Sequence, residues 1–282
     1  MTNTPTITLI GPGVMAEAVI SGLIRNQVTE PSKITAAGPR TERGEELIER
    51  YGIQFTRDNN AAAKGAEIVI LAVKPQRLQG VLAGLRGSID PQALVLSIVA
   101  GASIQTISQA LSHPVVVRVM PNTPAQIGQG ISVWTASSAV TSIQRDLAQR
   151  ILTALGQEIF VEDENLLDMA TALSGTGPAY VFLFMEALVD AGVHLGFPRR
   201  ISEALVLQTL RGSVEYYAQK KDHPAHLRNE VTSPGGTSAA ALYYLEKAGF
   251  RTAISRAIWA AYERSQELGR GKTSTPPEKQ GN

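Results

Sequence analysis

The chain has 282 residues, enough for two domains that each bury a core. Its 26 Lys and Arg against 25 Asp and Glu leave a formal net charge of +1, which argues against nucleic acid or an anionic membrane as partner and leaves a small molecule as the expectation. With no cysteine in the sequence, disulfides, thiolate metal sites and a cysteine nucleophile are excluded.

The start, Met1-Thr2-Asn3-Thr4-Pro5, lacks a charged region followed by an apolar core, and no apolar run reads as a membrane span, so a soluble cytoplasmic protein is expected. Ile7-Thr8-Leu9-Ile10 predicts a strand, Gly11-Pro12-Gly13-Val14-Met15-Ala16 a turn, and the next stretch a helix with Val19, Leu23 and Ile24 on one face. The G-x-G-x-x-A spacing suits a dinucleotide: Gly11 permits the bend, Gly13 lets backbone approach a pyrophosphate, and Ala16 lets the helix pack close to the strand. The second strand, Ile34 to Ala37, runs into Gly38-Pro39-Arg40-Thr41-Glu42-Arg43 with no acid at its end to hold ribose hydroxyls. Arg40, with Thr41 and Arg43, is suited instead to a 2′-phosphate, which favours NADPH while leaving NADH open. The same arginines are also readable as the solvated first turn of a helix from Thr41 to Tyr51.

Apolar runs Ile68 to Val73, Leu94 to Ile98 and Val115 to Val119 read as strands buried on both faces, with helices expected over Asn59 to Lys64, Gln76 to Leu85 and Ile104 to Leu111. A doubly wound parallel sheet is the economical architecture, and ligands on such sheets sit at the carboxyl ends of strands. Lys74-Pro75, Ala100-Gly101 and Met120-Pro121-Asn122-Thr123-Pro124 occupy those ends. A strand from Gly130 to Trp134, a helix from Ile143 to Leu155 and a short strand from Glu158 to Val161 complete the domain.

From Glu164 to about Gly269 only helices are expected. Ser174-Gly175-Thr176-Gly177-Pro178 opens one in which Val181-Phe182-Leu183-Phe184-Met185 is apolar almost all round and calls for partners on every side, which points to an intersubunit core. Pro198 precedes a helix from Arg199 to about Gln219, Lys220 to Pro224 reads as a charged turn, and the last helix spans Thr252 to Leu268. Between them, Val231-Thr232-Ser233-Pro234-Gly235-Gly236-Thr237-Ser238 is a loop that becomes a helix. It reads either as a tight turn with Thr237 or Ser238 as N-cap, or as a carboxylate pocket at a helix N-terminus. His113, His194, His223 and His226 show no metal spacing with carboxylates, so no metal is expected.

Four stretches agree in order and spacing with the Δ1-pyrroline-5-carboxylate reductases: the nucleotide turn through Met15 to Gly22, Leu71-Ala72-Val73-Lys74-Pro75, Met120-Pro121-Asn122-Thr123-Pro124, and Ser174-Gly175-Thr176-Gly177-Pro178-Ala179-Tyr180. The Ser-Pro-Gly-Gly segment is a fifth, and the chain from about 6 to 268 thus resembles that family. The resemblance implies an α/β fold in which an N-terminal Rossmann-like doubly wound sheet (1–163) precedes an all-α dimerisation and substrate-binding domain (164–269), and the composition beyond Gly269 reads as a disordered tail (270–282). It implies a homodimer that can assemble into a decamer, with the Ser-Pro-Gly-Gly loop entering the partner's active site. By position, Ser233, Gly236, Thr237 and Ser238 would hold the substrate carboxylate, Glu164 would lie near the pocket, and Ser238 would hydrogen-bond the imine nitrogen. Gly11, Pro12, Gly13, Val14, Met15, Ala16, Arg40, Asn59, Ala72, Val73, Lys74, Ala100 and Asn122 would line the cofactor. Val14 replaces a commonly polar residue, Ser238 a usual Thr, and Glu230 an Asn found in some members. Reduction of pyrroline-5-carboxylate to proline is the implied reaction. The alternatives are another imine or β-hydroxyacid reductase, or a non-catalytic relative, although the lysine base of a β-hydroxyacid enzyme is missing between Gly177 and Gly196.

Overall fold

The structure, a computed structural model, describes residues 4–270, so the tail expected over 270–282 lies outside the described residues save for Arg270. The chain divides into two compact units, one running to Thr176 and resuming at Ala261, the other Gly177–Ala260.

In the first unit β1 (Ile7–Ile10), β2 (Ile34–Ala37), β3 (Gln54–Thr56), β4 (Ile68–Leu71), β5 (Leu94–Ser97), β6 (Val116–Met120), β7 (Gly130–Ala136) and β8 (Gly156–Phe160) form one sheet in the order β3-β2-β1-β4-β5-β6-β7-β8. Strands β1, β4 and β5 are buried at every position, as their apolar runs require. Pairing of Ile7 with both Ile34 and Ile68 places β1 between β2 and β4, so the chain leaves β1 where the strand order reverses, the usual position of a ligand crevice. Helices α1 (Val14–Arg25), α2 (Thr41–Tyr51) and later α6 (Ser142–Thr153) bring buried side chains to one core, which includes Leu9, Ile68 and Trp134. Helices α3 (Asn59–Ala63), α4 (Pro75–Leu85) and α5 (Ile104–Leu111) contribute to a second core with Ile10, Val69 and Val95.

Within the sheet, two features depart from the sequence expectation. β3 is a three-residue edge strand with no apolar alternation to announce it. β7 runs antiparallel to β6, since only the short 3-10 turn Thr123–Ile127 connects them and a parallel return needs a crossover of about a dozen residues or more.

Beyond β8 the chain is helical. A helix begins at α7 (Leu166–Ala170), not at Ser174, and widens into a π turn over Thr171–Gly175, where Thr176 N–H donates to Thr171 O. Helix α8 (Gly177–His194) follows. The segment Leu166–His194 is long and apolar enough to cross a membrane by length and composition alone, which corrects the expectation that no run qualifies; the hydroxyl and glycine residues around 174 had concealed its continuity.

The second unit contains α8, α9 (Arg199–Lys220), α10 (Pro224–Glu230), α11 (Thr237–Lys247) and most of α12 (Phe250–Gly269). Helix α10 replaces part of the expected charged turn: Pro224 sits at N1 and His223 Nδ1 caps it by accepting from Ala225 N–H. Gly192 of α8 lies under Ser202 of α9, where a Cβ would stand 2.6 Å from the serine Oγ. Of residues 177–260 only Val189 and Ser202 are buried, while Val181, Phe182, Leu183, Tyr244 and Trp259 are exposed. An apolar surface of this kind belongs to an interface between chains.

Candidate active site

The glycine turn follows β1 directly. Gly11 N–H donates to Ala37 O and Ala72 N–H to Ile10 O, which ties the carboxyl ends of β1, β2 and β4 into one rim. Gly11 has φ +96°, and a Cβ there would stand 2.7 Å from Val73 Cγ1. A Cβ on Gly13 would meet nothing within 4 Å, so its backbone faces open space suited to a pyrophosphate. Gly11→Ala combines positive-φ strain of about 1–3 kcal/mol with that collision, and NADPH should bind about tenfold more weakly or worse by fluorescence titration. Unchanged affinity would remove the turn from the cofactor site.

A cavity of about 560 Å³ opens from this turn. Of the expected cofactor residues it gathers Gly11, Pro12, Gly13, Arg40, Asn59, Ala72, Val73 and Lys74. Ala16 is buried and packs α1 onto the sheet, Met15 is partly buried against the same core, and Val14 is exposed at the start of the helix. Ala100 lines a different cavity, beside Leu268 and Gly269. Asn122 uses its side chain within the fold, Oδ1 accepting from Ile131 N–H at 2.9 Å and Nδ2 donating to Ser174 O at 3.3 Å.

Arg43 is not available for a phosphate. Its Nε donates to Pro12 O, and its two terminal nitrogens pair with Glu17 and Glu46. It braces the glycine turn from behind. Burial pushes the Glu17 carboxyl up, but hydrogen bonds from Arg43 and Tyr51 outweigh it and hold the group below its ordinary value. The stability this brace adds is therefore present above the ordinary carboxylate range and lost only as pH falls through the lowered value. Arg40, in contrast, stands exposed at the N-cap of α2 without a side-chain partner among the described residues. The strand end beside it admits no acid at Gly38, where a Cβ would collide with Cδ of Pro12. Arg57, Arg77 and Val81 line the same cavity and were not anticipated. Arg57 follows β3, the strand that periodicity did not reveal.

The second cluster is the start of α11. Gly236, not Thr237 or Ser238, is the N-cap, and no side chain caps the helix. The first intrahelical bond there is Ala240 N–H to Gly236 O, so the amides of Thr237, Ser238 and Ala239 point out of the helix without backbone partners. Gly235 has φ +70°, and a Cβ on Gly236 would stand 2.5 Å from Ser233 Oγ. The loop thus needs glycine at both positions to bring the Ser233 hydroxyl against the helix start. Thr232 turns away and donates to Arg228 O.

Glu164 belongs to a partly buried ionic network centred on Arg118. Its Oε1 accepts from Ile104 N–H at 2.7 Å and from Arg118 Nη1 at 3.1 Å. Arg118 Nη2 reaches Asp168 Oδ1 at 2.8 Å, and Ser265 Oγ donates to the same oxygen at 2.9 Å. The Arg118 side chain is 5% exposed. The sequence signal was a charge in a strand otherwise wholly apolar.

Among the histidines, His113 is buried with Nε2 against Ala93 O. His226 corrects the expectation of no carboxylate spacing: it lies one turn of α10 before Glu230 and near Asp222, which precedes the helix, and the ligating atoms of the three are within 4.8 Å of one another. All three are exposed.

The pyrroline-5-carboxylate reductase dimerisation family matches residues 164–268, and the NADP oxidoreductase, coenzyme F420-dependent family matches residues 6–101. A pyrroline-5-carboxylate reductase of Synechocystis sp. is 45% identical over 93% of this chain and 97% of its own. Among solved structures, a pyrroline-5-carboxylate reductase from Coxiella burnetii is 36% identical with a TM-score of 0.84, covering 96% of this chain and 100% of its own. The Plasmodium falciparum pyrroline carboxylate reductase with NADP bound is 33% identical with a TM-score of 0.87, covering 95% and 99%.

Proposed function

The chain belongs to the pyrroline-5-carboxylate reductase family, and from that membership we infer that it reduces L-1-pyrroline-5-carboxylate to L-proline, the last step of proline biosynthesis, using a reduced nicotinamide dinucleotide. The observation that carries the reading is the α11 N-terminus, where three outward amides and the hydroxyl residues Ser233, Thr237 and Ser238 gather without a side-chain cap. Such an end attracts a small anion, and the substrate brings a carboxylate.

When bound, the dihydronicotinamide supplies the hydride. The chain supplies orientation and a proton path. The α11 amides with Ser233, Gly236 and Thr237 hold the substrate carboxylate, which sets the ring against the cofactor. The Ser238 hydroxyl hydrogen-bonds the ring nitrogen and passes it a proton from water. Glu164, with Oε1 committed to Arg118 and Ile104, contributes a nearby fixed negative charge. A protonated imine is already electrophilic, so neither a metal nor a covalent nucleophile enters this scheme. The backbone of Gly11, Gly13 and Val14 cradles the pyrophosphate, and Ala72, Val73 and Lys74 line the cofactor's path. Ala100 and Asn122 bound the nicotinamide end in this reading, Asn122 through its backbone.

In this reading residues 1–163 bind the dinucleotide and 164–269 form the dimerisation and substrate-binding domain of a cytoplasmic homodimer, the dimers closing into a decamer. The partner's Ser-Pro-Gly-Gly loop completes each site. NADPH is preferred over NADH because Gly38 leaves no room for a ribose-binding acid and Arg40 has no acidic partner.

The test is loss of NADPH absorbance when pyrroline-5-carboxylate is added, with NADH in a parallel cuvette. Fast loss with NADPH and slower loss with NADH is expected. Arg40→Ala should raise the KM for NADPH about tenfold and leave that for NADH nearly unchanged. Folded protein that binds NADPH yet consumes neither cofactor would overturn the assignment.

A further inference from the structure

Arg40 is not alone on the adenosine side of the cavity. Arg57 and Arg77 line it as well, and neither forms an ion pair among the described residues. The nearest acid in sequence, Asp58, is committed: its Oδ1 caps α3 by accepting from Asn60 and Ala61 N–H, at 2.9 and 3.2 Å. Asn59, which lines the same cavity, has its Oδ1 buried with no hydrogen-bond partner among the described residues. An orphaned acceptor on a residue that lines the cavity is suited to a ligand donor, and a ribose hydroxyl is one. A second cavity of about 600 Å³ continues past Arg57 and Asn59 along α4.

Resting on the NADPH reading above, we propose that Arg57 is the second arm of a two-arginine clamp, with Arg40, that grips the 2′-phosphate of the cofactor while Asn59 Oδ1 accepts from the adjoining ribose hydroxyl. The two arginines approach from different strand ends, Arg40 after β2 and Arg57 after β3, which pair in parallel from Thr35–Gln54 to Ala37–Thr56. The two residues thus follow neighbouring strands, and both line the cavity. A phosphomonoester dianion has oxygens enough for two planar forks, and each charge-assisted contact strengthens binding by roughly tenfold or more. Arg43, the third arginine of this region, is held out of the clamp by Glu17 and Glu46.

The experiment is calorimetric titration of the full-length protein with 2′,5′-ADP and with 5′-AMP. The unmodified protein should prefer 2′,5′-ADP. Arg57→Ala should weaken 2′,5′-ADP about tenfold and leave 5′-AMP unchanged, Arg57→Lys should recover part of the loss, and the double change with Arg40→Ala should abolish the preference. If Arg57→Ala weakens both nucleotides equally, or neither, the clamp is refuted although the NADPH reading stands. If the unmodified protein binds the two nucleotides alike, the NADPH reading itself fails, and the clamp with it.

Discussion

Arg118→Met is expected to lower the unfolding free energy by about 3 kcal/mol or more, read from the denaturant midpoint at unchanged m-value. The guanidinium joins β6 to Glu164 and to Asp168 at the start of α7, and Ser265 joins the same carboxylate from α12. Removing it leaves two carboxylates close together with no positive partner. Glu164 is 31% exposed and recovers some hydration, whereas Asp168 at 17% recovers less, so the loss should lie toward the lower end of that expected for a broken buried pair. Adding Asp168→Leu to Arg118→Met removes the more buried orphan and should restore part of the stability. A loss below about 1 kcal/mol for Arg118→Met would show that the network does not hold the unit together.

Ser238→Ala is expected to lower kcat by about 100-fold or more while changing unfolding free energy by less than about 1 kcal/mol. The separation follows from the helix start: Gly236 is the N-cap and no side chain bonds back to the amides, so the Ser238 hydroxyl has no capping role to lose. Ser238→Thr retains the hydroxyl and should keep most of the activity. Parallel kinetics and denaturant melts on the two variants decide the matter. A Ser238→Ala enzyme with full turnover, or one that loses stability and activity together, would refute the assigned role.

Much of the first unit was legible because its signals are local. The Gly11-to-Ala16 spacing, flanked by an apolar strand and a helix with one apolar face, is a short-range pattern, and the buried runs at 68, 94 and 116 announce their strands by composition alone. What escaped depends on contacts between distant residues. Arg43 stands beside Arg40 in sequence as a secondary phosphate candidate, and nothing local shows that Glu17, on another helix, claims it. Arg57 was invisible because the strand before it, Gln54–Thr56, has no apolar rhythm. Asn122 stands in a family-like motif and Glu164 matches the family by position, but nothing nearby in sequence indicates that Ile131, Ser174, Ile104 and Arg118 engage their side chains. The cap of α11 was misplaced by one or two residues for a related reason. Serine and threonine are the preferred caps, and only the backbone shows that a glycine took the position.

The second unit buries two residues of its own, Val189 and Ser202. Its thermodynamic stability is therefore a property of a solution and not of a single chain. Mass action enters the folding equilibrium, the melting midpoint rises with protein concentration, and dilution works as a denaturant on the helices while the sheet keeps its own core. Since the loop beginning at Val231 rides on those helices, the uncapped start of α11 shares that dependence on association.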